Sequence, residues 1–285
     1  MTGRIRIRLA ATVSLAIATI AGLAIPANSQ FLRTIEGRVT ALDLPTIPED
    51  GVVIAYSEGV AEEAAFYAAE AEAAAAWYRS VLDWDAPIRM AVLDAEDFAR
   101  TTSVPYPSPH AEIATGFIVI ADRVESHPGF DFWDIAGRDI NAAWLFHEMG
   151  HVIARQLGVA SNNLWVNELI ASVIMAGYVR EERPEFGAFQ DGMPPRFAGE
   201  GNYATLAEFD RLYFAMGQFD YLWFHFHIAE IADYVVAGAG GLAPAMDGLA
   251  AAFPIGLPPE TIAATLEKLE AIAPGVMELA APLAP

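Results

Sequence analysis

The sequence predicts an α+β fold, with a small sheet in the N-terminal half and mainly helices in the C-terminal half. Two short apolar runs, at residues 88–93 and 116–121, have the composition of β-strands. After residue 132 the apolar residues recur at three- and four-residue steps, which is the period of a helix. We therefore expect an α/β part over residues 30–131 and a mainly helical part over residues 132–285.

The first 29 residues have the organisation of a secretory signal peptide. Three arginines among the first eight residues precede an apolar run over residues 9–25, and small residues then occupy the expected cleavage site. We expect cleavage after Ser29, which gives a periplasmic or secreted chain that begins at Gln30. The alternative is a segment that remains as an uncleaved anchor.

Charge and cysteine content narrow the function classes. The 37 acidic and 16 basic side chains give a formal net charge of −21, which argues against nucleic acid or anionic lipid as a partner. The absence of cysteine excludes disulfides, thiol nucleophiles and cysteine metal ligands. A chain of 285 residues can still bury a large core without disulfides.

Up to residue 121 the sequence predicts a helix, a strand, a loop and a second strand, in that order. Residues 58–82 are rich in Ala and Glu and predict a long helix, with Ser57 as its N-cap. The strand at 88–93 follows, then a loop that contains Pro105, Pro107 and Pro109, and then the strand at 116–121.

The C-terminal half predicts a series of helices. Gly158 ends the first of them, over residues 132–157, and a second helix follows from about residue 164 to 179. The Gly- and Pro-rich stretch at 186–204 predicts a loop. Further helices are expected at 206–236, 243–252 and 259–272.

The string His147-Glu148-Met149-Gly150-His151 lies inside the first of these helices. Histidines at i and i+4 lie one above the other on one helix face, so both imidazoles can reach one metal ion. Glu148 is rotated about 100° from His147 around the helix axis, which places it beside the metal. There it can take a proton from a zinc-bound water and pass it to the leaving amine.

Catalytic zinc needs a third protein ligand and one open position. Glu168 is the candidate, because it begins the next helix in the string Trp-Val-Asn-Glu-Leu-Ile-Ala-Ser, residues 165–172. It shares a helix face with the small residues Ala171 and Ser172, which leave room for the motif helix to approach.

The pairing of H-E-x-x-H with a downstream N-E-x-x-A resembles the gluzincin zinc peptidases, and the string around Glu168 is similar to that of the aminopeptidase-N type and its peptidase MA-like relatives. The resemblance implies a zincin-like peptidase domain over residues 30–285. It also implies that His147, His151 and Glu168 bind zinc and that Glu148 is the general base. Asn167 would orient the Glu168 helix or a ligand.

Endopeptidase action is favoured over aminopeptidase action. The Gly-Ala-Met-Glu-Asn signature that grips a free amino terminus is absent, and residues 111–121 read A-E-I-A-T-G-F-I-V-I-A instead. In such folds an edge strand before the motif helix pairs with an extended peptide, and we expect that strand near residues 116–121.

The resemblance also implies an oxyanion donor, a Tyr or His from the C-terminal helices. Tyr213 is the first candidate, and the others are Tyr221, His225 and His227. Two alternatives to a peptidase remain open. One is a zinc hydrolase of a non-peptide substrate, and the other is a non-catalytic binding or assembly protein with a retained fold.

Overall fold

In the part of the chain that the structure describes, five short strands form one mixed sheet in the order β1-β2-β3-β5-β4. The two predicted strands are confirmed as β3 and β5, which lie parallel to each other and to β2 at the centre. The outer strands β1 and β4 run antiparallel to their neighbours. The strands are β1 (Thr46–Glu49), β2 (Val52–Tyr56), β3 (Ile88–Leu93), β4 (His110–Glu112) and β5 (Phe117–Ala121).

The computed structural model describes residues 33–49, 51–103, 109–122, 137–191 and 205–284. Within these ranges the predicted α+β class is confirmed, with the sheet in the N-terminal half and helices in the C-terminal half. The predicted signal peptide, the start of the predicted motif helix at 132–136 and the predicted loop from residue 192 onward lie outside the described residues.

Helices cover both faces of the sheet. On one face α1 (Ile35–Thr40) and α3 (Ala95–Thr101) pack against Phe117, Val119 and Ala121 of β5. On the other face α2 (Ala61–Val81) and α4 (Gly137–Gln156) share the main core with Ile118 and Ile120. Alternate residues of β5 therefore enter two different cores, which is the pattern of a strand buried on both faces.

The prediction that the strand near residues 116–121 lies at the edge of the sheet is wrong. β5 pairs with β3 on one side and with β4 on the other, and all five of its side chains are buried. An unbroken apolar run is typical of a central strand, because an edge or one-sided strand alternates apolar with polar residues. The strand at this end of the sheet is β4, which has only three residues, all of them partly exposed.

The long Ala-rich helix α2 is confirmed over residues 61–81, but Ser57 is not its N-cap. The Ser57 hydroxyl donates to Asp97 at 2.7 Å and accepts the amide of Asp94 at 3.2 Å. Ser57 thus links the end of β2 to the start of α3, and α2 begins after Val60 without a side-chain cap.

The helical half is arranged around α5 (Leu164–Glu182), whose side chains from Trp165 to Val179 are almost all buried. This helix packs against α4 on one side and α8 (Gln218–Ala239) on another. The other helices are α6 (Pro184–Asp191), α7 (Leu206–Leu212), α9 (Leu242–Ala252), α10 (Ile262–Ile272) and α11 (Val276–Ala280).

Two sequence predictions in this half are corrected. The loop expected from residue 186 is helix α6 as far as Asp191, because Pro184 suits a first helical position and Phe186 is buried against Phe146. The helix expected at 206–236 is broken between Leu212 and Gln218, where Gly217 is the N-cap of α8.

Among the described residues, no single helix has the length and apolarity to cross a membrane. The pair Asp220–Ala239 and Leu242–Ala252, bent by 107°, meets those criteria only when taken together.

Candidate metal centre

The motif helix α4 presents His147 and His151 on one face, with their ring centroids 4.7 Å apart. His147 is almost fully buried, and the side chain of His151 is 11% exposed. The Ser172 hydroxyl lies 3.3 Å from Nδ1 of His147, which leaves Nε2 as the nitrogen that faces Glu168.

Helix α5 brings Glu168 to these histidines through an unusually close helix contact. A Cβ atom built at Gly150 would lie 2.4 Å from the carbonyl oxygen of Ala171, so only glycine allows this approach. Oε2 of Glu168 lies 3.1 Å from Nε2 of His147 and 3.6 Å from Nε2 of His151. The structure therefore brings together the three side chains that the sequence names as metal ligands.

His225 of α8 also lies beside His147. Its ring stacks on Trp144 at a centroid distance of 4.5 Å, and its centroid lies 4.7 Å from that of His147. One ligand atom each from His147, Glu168 and His225 lie within 4.8 Å of one another, and all three side chains are buried. This buried group can hold a metal ion.

Nδ1 of His225 is buried and has no hydrogen-bond partner among the described residues. A buried polar atom without a partner is costly, and a bound ion or ligand would satisfy it. On sequence grounds His225 is a candidate oxyanion donor and not a metal ligand. Its helix is apolar around most of its surface, so no spacing signal marked it as a metal ligand.

Glu148 is buried beside Ala111, the middle residue of strand β4. Its Oε2 accepts the backbone amide of Ala111 at 2.7 Å, so the outermost strand of the sheet fixes the carboxylate. Burial, together with the nearby Glu168, raises the pKa of Glu148 to about 7 against the opposing effects of His151 and the Ala111 amide. A carboxyl group with such a pKa can accept and release a proton near neutral pH.

Two tyrosines contact Glu168. The Tyr213 hydroxyl donates to Oε1 at 2.7 Å, and the Tyr221 hydroxyl donates to Oε2 at 3.1 Å.

His227, the remaining candidate oxyanion donor, contacts Trp223. Its ring centroid lies 4.1 Å from that of Trp223, and its Nδ1 is 2.7 Å from the Trp223 carbonyl oxygen. Two residues along a helix correspond to about 200° of rotation, so His227 and His225 point to nearly opposite sides of α8.

The charges of the site favour neutral His147 and His225 and an ionised Glu168, whereas His151 is shifted toward its charged form. Burial lowers the pKa of His147, and it lowers the pKa of His225 to about 3. Burial alone would raise the pKa of Glu168, but His151 and His147 hold it well below its usual value. Burial would also lower the pKa of His151, but Glu168 and Glu148 raise it overall. Neutral imidazole and ionised carboxylate are the forms that bind metal ions.

The start of α5 is anchored by polar side chains at positions just before Glu168. The Asp210 carboxylate accepts the amide of Trp165 at 2.9 Å and the side-chain amide of Asn163 at 3.0 Å. Asn167 makes two hydrogen bonds of 2.8 Å to the backbone of Ser161 in the preceding linker. Asn167 therefore ties the first turn of the helix to the linker. Of the two roles expected for it, this contact fits orientation of the Glu168 helix.

No protein-family model matches the chain, and no curated protein or solved structure matches it.

Proposed function

We propose that the chain is an exported zinc metallopeptidase of the gluzincin type, with a zincin-like domain. His147, His151 and Glu168 are the proposed zinc ligands, and Glu148 is the proposed general base. The observation that carries the proposal is the convergence of Glu168 on both histidines of the H-E-x-x-H helix, at 3.1 and 3.6 Å.

The donor set supports zinc in particular. Two imidazoles and one carboxylate, with no cysteine in the chain, form a ligand set of the kind that catalytic zinc uses. In a tetrahedral zinc site the ligand atoms lie about 3.3 Å from one another. The distances from Oε2 of Glu168 to Nε2 of the two histidines are close to this value. When bound, zinc lowers the pKa of a coordinated water and polarises a carbonyl group.

The proposed proton transfer runs through Glu148. Its Oε2 is engaged with the Ala111 amide, so Oε1 is assigned to the transfer. Oε1 takes a proton from the attacking water as the new C–O bond forms at the scissile carbonyl. The same proton then passes to the amide nitrogen as the C–N bond breaks, which releases the amine and leaves Glu148 ionised.

Strand β4 supports an extended peptide as the substrate. It lies at the end of the sheet and touches Glu148 through Ala111, so a peptide paired with its outer side would run past the general base. Endopeptidase action remains the favoured form, since the motif that recognises a free amino terminus is absent.

One observation favours a second candidate, a non-catalytic protein with a structural metal site. His147, Glu168 and His225 form the buried group that can hold the ion. With His151 as a further ligand, four protein side chains would close the coordination sphere. The intact Glu148 is the argument against it, because a structural site has no use for a base beside the metal.

Metal analysis of the purified protein, combined with digestion of a peptide library, tests the proposal. We expect one zinc per chain and internal cleavage of peptides that a chelator abolishes and added zinc restores. Bound zinc without cleavage of any peptide would favour the structural site or a non-peptide substrate. Absence of bound zinc would contradict both candidates.

The proposed export is tested separately. N-terminal sequencing of the protein recovered outside the cytoplasm should begin at Gln30. Recovery of the full-length chain in membranes would instead support the uncleaved anchor.

A further inference from the structure

The Glu168 carboxylate has two oxygens with different surroundings. Oε2 lies near both motif histidines and also accepts the Tyr221 hydroxyl. Oε1 accepts the Tyr213 hydroxyl at 2.7 Å, the shorter of the two tyrosine contacts. The carboxylate is therefore oriented, with one oxygen directed at the histidines and the other held by Tyr213.

The two tyrosines reach Glu168 from different elements. Tyr213 is the C-cap residue of α7, and Tyr221 lies in the first turn of α8. Between them the fully buried ring of Phe209 contacts both, with centroid distances of 5.3 Å to Tyr213 and 6.2 Å to Tyr221. Neither ring can turn away from Glu168 without disturbing this packing.

Helix α7 is itself held to the start of α5. Asp210 accepts the amide of Trp165, three residues before Glu168, and Thr205 with Glu208 forms a capping box at the start of α7. Helices α7 and α5 are thus held together both at Asp210 and Trp165 and at Tyr213 and Glu168, and these contacts set the distance between Tyr213 and Glu168. Such support around a ligand fixes its orientation before any ion binds.

We propose that Tyr213 and Tyr221 are positioning residues that hold Glu168 as a one-oxygen ligand, with Oε2 toward the metal. The inference rests on the proposed function, because Glu168 must be a metal ligand. It assigns Tyr213 a role different from the oxyanion donor expected from the sequence, since its hydroxyl proton is committed to Oε1 of Glu168. Among the candidate oxyanion donors, His225 is then the buried one whose Nδ1 has no partner among the described residues.

The test is a zinc competition titration against a chromophoric chelator, on Tyr213→Phe and Tyr221→Phe in the otherwise intact protein. Each change removes one hydroxyl and keeps the ring that packs on Phe209. Loss of such a supporting contact typically lowers metal affinity about 10- to 100-fold, and we expect a loss in this range for Tyr213→Phe. Cleavage by this variant should fall at limiting zinc and recover as zinc is added.

Tyr234→Phe is the matched control, because its hydroxyl donates to the Pro274 carbonyl on the exposed side of α8. It should bind zinc as the wild type does. The cobalt-substituted protein supplies a second readout, since a change in ligand geometry alters the visible spectrum of Co²⁺ while a general loss of stability does not. We expect an altered spectrum in Tyr213→Phe and an unaltered one in Tyr234→Phe.

Normal zinc affinity in Tyr213→Phe, with cleavage reduced at every zinc concentration, would overturn the inference and identify Tyr213 as the oxyanion donor. Normal affinity with normal cleavage would also overturn it. Either result leaves the proposed function intact as long as the wild type binds zinc and His151→Ala does not. If the wild type binds no zinc, the proposed function itself fails.

Discussion

Glu148 and His151 lie on the same helix, but their side chains have different surroundings. His151 faces Glu168 across 3.6 Å, whereas Glu148 faces strand β4 and accepts the Ala111 amide. The difference follows from the helical rotation between the two positions. The proposed metal ligand and the proposed base can therefore be substituted one at a time.

We expect Glu148→Gln to abolish cleavage without loss of zinc. The amide side chain keeps an oxygen that can accept the Ala111 amide but cannot take up a proton, and a general base alone contributes about 10²- to 10⁴-fold to rate. Zinc content and Tm should stay at or above the wild-type values, because a buried carboxylate becomes a neutral group. His151→Ala should lose zinc together with activity. Near-normal cleavage by Glu148→Gln would remove Glu148 from the mechanism while leaving the metal site in place.

Among the site residues, the sequence predicted those whose positions follow from local spacing. The i, i+4 histidines and the glutamate between them follow from helix geometry, and Glu168 follows from the small residues that share its helix face. His225 and the contacts of Tyr213 depend on how α7 and α8 cross α5. No local period encodes that crossing, so the two residues could be named as candidates but not given their partners.

The contact between α4 and α5 depends on Gly150, which lies one residue before His151. A methyl group at this position would overlap the Ala171 backbone, which cannot move aside as a flexible side chain can. The sequence predicted that Ala171 and Ser172 leave room for the motif helix, and the structure confirms this. The requirement for glycine at position 150 could be seen only in the structure.

Gly150→Ala should therefore destabilise the fold and weaken the metal site together. Overpacking of this kind costs about 1–3 kcal/mol in the free energy of unfolding, and the helices must separate to accept it, which moves Glu168 away from the histidines. Urea denaturation and zinc titration measure the two effects.

Gly187→Ala is the control for this substitution. Its added Cβ would meet only a Val179 methyl group at 3.6 Å, an ordinary contact, and alanine favours a helix over glycine by about 1 kcal/mol. Its stability should equal or exceed that of the wild type. If Gly150→Ala is equally stable, the close helix contact is not required.

The edge-strand error has a physical cause at the level of the element. The apolar run of β5 predicts a strand but not its place in the sheet, and an apolar residue at every position requires cover on both faces. The short polar sequence of β4 carried no strand signal of its own. Three residues are too few to show a period, so its place at the end of the sheet followed from pairing with β5 alone.

At the scale of the whole molecule, the long helix α2 joins the sheet to the helical half. Its side chains Tyr67 and Tyr78 are fully buried in the main core, which also contains residues of α4 and α5. The Ala-rich composition predicted the helix. The burial of its tyrosine hydroxyls could not be predicted, because it depends on helices more than 60 residues away in the chain.

These buried tyrosines predict an alkaline loss of stability. Burial raises the pKa of Tyr67 from its ordinary 10.0 to about 12, and burial also raises the pKa of Tyr78. As the pH rises above 10 the unfolded chain loses these protons while the folded protein keeps them, so the free energy of unfolding falls up to the folded pKa. A shift of this size corresponds to about 3 kcal/mol for Tyr67.

Urea denaturation between about pH 8 and pH 11 measures this decline, and Tyr67→Phe isolates one contribution to it. The variant has no proton to lose at this position, so its stability should fall less steeply with pH than that of the wild type. The stability difference between the two proteins should not vary with pH near pH 8, where Tyr67 is protonated in both the folded and the unfolded chain, and should change as the pH approaches 11. Parallel pH profiles for the two proteins would show that the Tyr67 hydroxyl reaches solvent in the folded state and that α2 packs less tightly on the core than its buried side chains indicate.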